Sequence, residues 1–149
     1  MNQLAVKFRR LAHAGDLALP SYATSGAAGL DLAAAIDHPI CLKPNMRQAI
    51  PTGFAMALPA GYEAQIRPRS GLALKYGITV ANAPGTIDSD YRGEIAVILV
   101  NNGIDDFTIT HGMRIAQMVI AAVIIMTPVE ADNLDDTARA AAGFGSTGL

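Results

Sequence analysis

The sequence predicts an all-β sandwich with one short helix and a flexible, glycine-rich C-terminal arm. Three observations point there. Short apolar runs recur along the chain, punctuated by Gly, Pro, Asn and Asp. Only one segment, Ser70 to Gly77, carries signals for both ends of a helix. Aromatics make up 5% of the residues and Trp is absent, so the core must be built mainly from Ala, Val, Ile, Leu and Met. At 149 residues the chain reads as one domain, a size that buries roughly 70% of the surface its unfolded form exposes.

The expected strands, in order, are Leu4–Phe8, Leu30–Ala35, Ile40–Lys43, Arg47–Ile50, Phe54–Leu58, Tyr62–Arg67, Ile78–Ala81, Glu94–Asn101, Phe107–Ile109 and Ile115–Val129. Between them lie "LPSYATSG", "KPN", "PTG", "PAG", "APG", "NNGIDD" and "HG", all turn compositions. Pro51 and Pro59 fit strand ends, because proline cannot donate to a central ladder. In "SGLALKYG", Ser70 can cap the helix and Gly77 can end it in the left-handed conformation. "IAVILV" and "MVIAAVIIM" are apolar at every position, which predicts strands covered on both sides. In so small a β-domain, the outer cover is expected from another subunit; a single thick core is the alternative. The β-domain is expected to span residues 1–135, and a mobile arm residues 136–149.

A net charge of −2 leaves no basic field for nucleic acid or anionic lipid. The longest apolar run falls well short of the ~20 residues of a membrane span, and the N-terminus lacks an apolar leader core. The expected location is the cytoplasm. Cys41 is the single cysteine, which excludes an intramolecular disulfide and a cysteine-based zinc site. His13, His38 and His111 are scattered without metal-ligand spacing.

Four stretches carry possible chemistry. "GTIDSDYRGE" (Gly85 to Glu94) crowds three carboxylates, a tyrosine and an arginine into a turn-rich segment. It reads as a hairpin-like corner with its tip near Ser89, which would set Asn82 opposite Ala96. Taken alone, Asp88 and Asp90 are more readily explained as turn formers. "RPRSGLALKYG" opens a helical turn with Arg69 and Ser70, where free N–H groups and a guanidinium can hold an anion; an ordinary capped helix would look the same. In "HGMRIAQMVI", Arg114 and Gln117 are three apart and are expected on opposite faces of a strand. "RAAAGFGSTGL" resembles a phosphate-cradling loop without the Walker lysine, and Phe144 is its lone aromatic. Asp31 in "AAGLDLAAA" reads on its own as a strand-end turn former.

Together and in this order, "SGAAGLDLAA", "RPRSGLALKYG", "GTIDSDYRGE", "GMRIAQMVI" and "GFGSTG" resemble the five motifs of the trimeric dUTPases, from about Ser21 to Leu149. The resemblance implies a jelly-roll-like β fold and a homotrimer with sites at the subunit interfaces, each closed by a neighbour's C-terminal arm. It implies Mg²⁺-assisted hydrolysis of dUTP to dUMP and pyrophosphate, which keeps uracil out of DNA and supplies dUMP for thymidylate synthesis. Carried over by position, Asp88 activates the water that attacks the α-phosphorus. Asp31 meets the metal through water only. Arg69, Ser70 and Gly71 hold phosphates with Gln117 beside them. Asn82, Gly85, Thr86, Ile87 and Ala96 read uracil, and Tyr91 packs on the deoxyribose. Phe144 stacks on uracil, while Arg139, Gly145, Ser146 and Thr147 contact the far phosphates. Arg114 stands either near the phosphates or as a brace of the site or the subunit contact. Asp90, Arg92 and Glu94 are expected to be structural, as turn bonds and subunit-facing ion pairs.

One departure from the family pattern concerns Ala140, Ala141 and Ala142, where the motif usually carries glycines; alanine disfavours positive φ and stiffens the arm. Two rival readings remain, a dCTP deaminase on the same fold and a non-catalytic binding or structural module. The "IDSDYRG" hairpin and the arm argue against the first, and the presence of Asp88 and the arm against the second.

Overall fold

A computed structural model of the chain describes residues 4–138 and 140–142. Eleven strands are described: β1 Lys7–Arg10, β2 Ser21–Tyr22, β3 Leu30–Ala33, β4 Ile40–Leu42, β5 Arg47–Ala57, β6 Tyr62–Arg67, β7 Ile78–Val80, β8 Gly85–Ile87, β9 Glu94–Asn101, β10 Phe107–Ile109 and β11 Arg114–Ala122. A 3₁₀ turn covers Ala12–Ala14, and the helix α1 covers Ser70–Tyr76. They form a four-stranded sheet in the order β1-β5-β9-β7, a five-stranded sheet in the order β2-β3-β11-β6-β8, and the pair β10-β4. Every pairing is antiparallel. The fold is the jelly-roll-like β architecture expected of the sequence.

The core gathers Ile50, Met56, Val97 and Leu99 from one large sheet and Leu32, Ile66, Ile115 and Met118 from the other, with Leu42 and Ile109 from the small pair. Burial of each such side chain stabilises by about 1.5–3 kcal/mol. The buried Asn101 spends both ends of its amide. Its Nδ2 donates to the carbonyls of Leu42 and Asp105, and its Oδ1 accepts from the Gly103 N–H, each at 2.8 Å.

β6, β9 and β10 have the bounds the sequence predicts. Other elements differ. Arg47–Ile50 and Phe54–Leu58 are one strand, β5, whose register on β9 shifts between Pro51 and Ala55. Pro51 therefore lies inside a strand, at the start of a bulge, where a missing N–H is tolerated. β8 was not expected. It pairs with β6 in the opposite sheet, so "GTIDSDYRGE" is not a plain hairpin. The hairpin-like relation survives one layer away, since β7 lies against β9 with Val80 opposite Leu99. The helix begins one residue earlier than a Ser70 cap would place it: Arg69 is the N-cap, with no side-chain cap bond. Gly77 ends it in the left-handed region at φ 69°.

β9 is apolar at most positions but buried at alternate ones. Ile95, Val97 and Leu99 face the core, while Ala96 and Ile98 are exposed. β11 stops at Ala122 rather than Val129, and Ile124, Ile125, Met126, Val129 and Leu134 are exposed. Among the described residues no helix is long and apolar enough to cross a membrane.

Candidate active site

The predicted site residues fall into two groups. The first is built on the outer side of the five-stranded sheet. Register sets Ser21, Asp31, Gln117 and Arg67 in one row across β2, β3, β11 and β6. Arg114 joins them because β11 carries a bulge. Its register on β3 shifts between Arg114 and Ala116, so that Ile115 and Ala116 are both buried while Arg114 and Gln117 are both exposed. The expectation that Arg114 and Gln117 face opposite ways is thus corrected. A strict period of two holds only without an inserted residue.

In this row Asp31 is the charge centre. Arg114 Nη1 donates to its Oδ2 at 2.9 Å, and Arg69 Nε lies 3.7 Å from its Oδ1. Arg69 Nη1 also donates to the Arg114 carbonyl at 2.9 Å, which ties the start of α1 to the bulge. Arg114 is therefore a brace of Asp31 and Arg69 within the chain. Asp31 lies in β3 and is no strand-end turn former. At the start of α1 the first helical hydrogen bond is donated by Leu72, so the N–H groups of Ser70 and Gly71 precede the ladder, and both residues are exposed.

The second group surrounds a cavity of about 300 Å³ lined by Ala49, Thr86, Ile87, Asp88, Tyr91, Glu94, Ile95, Ala96 and Ile98. Five predicted residues, Thr86, Ile87, Asp88, Tyr91 and Ala96, meet here. Asp88 is exposed at its edge, and its carbonyl accepts from the Tyr91 N–H at 3.2 Å in a tight turn. The Tyr91 phenol donates to the Glu94 carbonyl at 3.0 Å, which folds the ring over Gly93. Arg92 Nη1 donates to the carbonyls of Ser89 and Tyr91 at 2.6 and 2.8 Å, so its expected role as a turn brace is met. Glu94 pairs inside the chain, with His13 Nε2 at 2.6 Å. Gly85 is buried on β8 beside Asn82: a Cβ there would come 3.1 Å from Asn82 Nδ2 and 3.3 Å from Ile66 Cβ.

Asp31, Arg69, Ser70, Gly71 and Gln117 do not line the cavity of Asp88. Arg139, Phe144, Gly145, Ser146 and Thr147 lie outside the described residues. No sequence motif points to Ala49 or Ile98, which also line the cavity. They meet because β5 and β9 pair in a register that sets them opposite one another. Cys41 takes no part: its exposed thiol donates to Asp106 Oδ2 at 3.5 Å. Desolvation first, and then that carboxylate, push its pKa up, which keeps it a poor nucleophile. Among the described residues no group of three or more His, Cys, Asp or Glu could hold a metal ion.

A family model described as dUTPase matches residues 16–148. The deoxyuridine 5'-triphosphate nucleotidohydrolase of Caulobacter vibrioides is 59% identical over 148 residues, covering 98% of this chain and 96% of that protein. The one from Sinorhizobium medicae is 60% identical over 142 residues, covering 94% and 89%. Among solved structures, a Staphylococcus bacteriophage 80alpha dUTPase with dUpNHpp matches with a TM-score of 0.87 at 22% identity, covering 97% of this chain and 99% of its own. The dUTPase from phage phi11 of S. aureus, described in a mutant form with a structural Mg(II) ion, matches with a TM-score of 0.79 at 21% identity, covering 89% and 99%. At these identities the solved structures speak for the fold, and the curated relatives speak for the activity. The chain belongs to the dUTPase family, and the hydrolysis of dUTP to dUMP is its reaction.

Proposed function

We propose that Asp88 orients and deprotonates the water that attacks the α-phosphorus of dUTP, and that the two groups of residues act together across a subunit interface of a homotrimer. The observation that carries this reading is the convergence of Thr86, Ile87, Asp88, Tyr91 and Ala96 on one cavity. Aspartate is a weak base, so positioning supplies much of the acceleration, as is general for phosphoryl transfer. Backbone groups from Gly85 to Ile87, with Asn82 and Ala96, read the uracil edge. A pocket built this way rejects the thymine methyl by clash and cytosine by reversed donors and acceptors. Tyr91 leaves no room for a ribose 2′-hydroxyl.

Arg69, the N–H groups of Ser70 and Gly71, and Gln117 hold the phosphates. The 136–149 arm closes over a neighbour's site, where Phe144 stacks on uracil and Arg139, Gly145, Ser146 and Thr147 meet the far phosphates. The trimer is supported by the exposed apolar side chain of Ile98 and by the exposed Ile124, Ile125 and Met126 beyond β11.

Among the described residues the donor set does not fit a protein-built metal cage. It does fit an Mg²⁺ ion that arrives with the triphosphate and keeps its waters. Asp31 Oδ1 has no hydrogen-bond donor, so it can accept from such a water. When bound, the ion neutralises charge on the phosphate oxygens. The reaction belongs in the cytoplasm, where nucleotide pools are kept. The test is pyrophosphate release from dUTP with Mg²⁺, compared with dTTP, dCTP and UTP. Release from dUTP alone is expected; equal release from all four would refute the pocket.

A further inference from the structure

We propose that His13 and Glu94 are positioning residues that set how strictly Tyr91 excludes ribose. The inference rests on the reading of Tyr91 as the surface that packs on deoxyribose. Glu94 is the first residue of β9 and serves Tyr91 through its backbone, where its carbonyl accepts the phenol at 3.0 Å. The bond holds the ring against Gly93, where a Cβ would overlap the Tyr91 hydroxyl and ring carbons.

The orientation of residue 94 is itself fixed from outside its strand. Its Oε1 accepts from the Gly53 N–H at 2.8 Å and faces His13 Nε2 at 2.6 Å. Gly53 lies in the β5 bulge, where the ladder to β9 is interrupted, so its N–H depends on this carboxylate. Gly53 has φ 76°, and a Cβ there would overlap Ala14, which presses the bulge onto the 3₁₀ turn that carries His13. The Leu11 N–H donates to the Gly53 carbonyl at 2.8 Å and closes the arrangement. One carboxylate oxygen therefore fastens the 3₁₀ turn, the β5 bulge and the start of β9. The opposite end of the same residue carries the phenol.

The side chains of His13 and Glu94 are 33% and 26% exposed, so solvent screens the ion pair and its main effect is geometric. Nε2 donates to the carboxylate in the Nε2–H tautomer and in the imidazolium alike. Without this fastening residue 94 can rotate, and the ring swings with the carbonyl that holds it. Steric exclusion of a single hydroxyl fails with a shift well under an ångström, because it relies on close packing and not on a bond.

The test compares kcat/KM for dUTP and for UTP, with a thermal melt for each variant. Glu94→Ala is expected to lower the dUTP-to-UTP ratio by about fivefold or more, mainly through faster UTP hydrolysis. Glu94→Gln keeps an oxygen for both donors and is expected to restore most of the ratio. His13→Ala is expected to lower the ratio in the same direction while keeping dUTP turnover, and it remains decisive if Glu94→Ala does not fold. A merely structural role would lower the melting temperature and leave the ratio at its wild-type value, which would overturn the proposal. Tyr91→Ala separates the two layers of the claim. If it loses the ratio while His13→Ala and Glu94→Ala keep it, the positioning role is wrong. If Tyr91→Ala itself keeps the ratio, the reading of Tyr91 falls, and the inference with it.

Discussion

Gln117 on β11 stands directly opposite Asp31 on β3, and Arg114, three residues earlier on the same strand, holds that carboxylate at 2.9 Å. Both side chains reach one face because the bulge turns Ile115 and Ala116 together into the core. The bulge thus converts an apolar strand into the carrier of a polar row. It also lets one guanidinium brace a carboxylate that Arg69 shares.

Arg114→Met should test that brace. Asp31 is 15% exposed and Arg114 57%, so the loss should lie between that of a surface pair and that of a buried one. About 1–2 kcal/mol of destabilisation is expected. In urea unfolding, the double variant with Asp31→Asn should cost less than the sum of the single changes. Strict additivity would mean that the pair is not coupled.

Gly85→Ala should separate recognition from chemistry. The new Cβ would push against Asn82 Nδ2 at 3.1 Å and Ile66 Cβ at 3.3 Å. If Asn82 reads uracil, KM for dUTP should rise by about tenfold, with a smaller change in kcat. An unchanged KM would remove Asn82 and Gly85 from the recognition surface.

Ile98→Glu should test the assembly. Ile98 is 37% exposed on the outer face of β9, opposite Ala49. A charge buried there by a neighbouring subunit would cost several kcal/mol. Sedimentation should give a trimer for the native chain and smaller species for the variant. A native chain sedimenting as a monomer with full activity would contradict the shared site.

Much of this was legible in the sequence, and the failures share a cause. β6, β9 and β10 could be bounded because turn residues flank them directly. "PTG" has the composition of a turn yet lies inside β5, because a bulge uses the same residues as a turn. The bulge at Ile115 has no local signal at all, so the period of two separates Arg114 from Gln117 where the structure sets them on one face. β8 is three residues long and depends on its partner β6, which no local pattern reveals. The apolar residues after Ala122 read as a continuation of β11, yet Ile124, Ile125, Met126 and Val129 are exposed beyond it. The candidate site residues rest on the order of five motifs. Ala49, Ile98 and the link from His13 through Glu94 to Tyr91 depend on register and tertiary contact, which motifs do not carry.

The central claim is that Asp88 activates the attacking water, and the most direct measurement is single-turnover pyrophosphate release from dUTP by Asp88→Asn. Asparagine keeps the shape and loses the basic oxygen. The chemical step should slow by about 10²–10⁴-fold, while binding of a non-hydrolysable dUTP analogue stays near its native strength. A variant that releases pyrophosphate at the native rate would contradict the account.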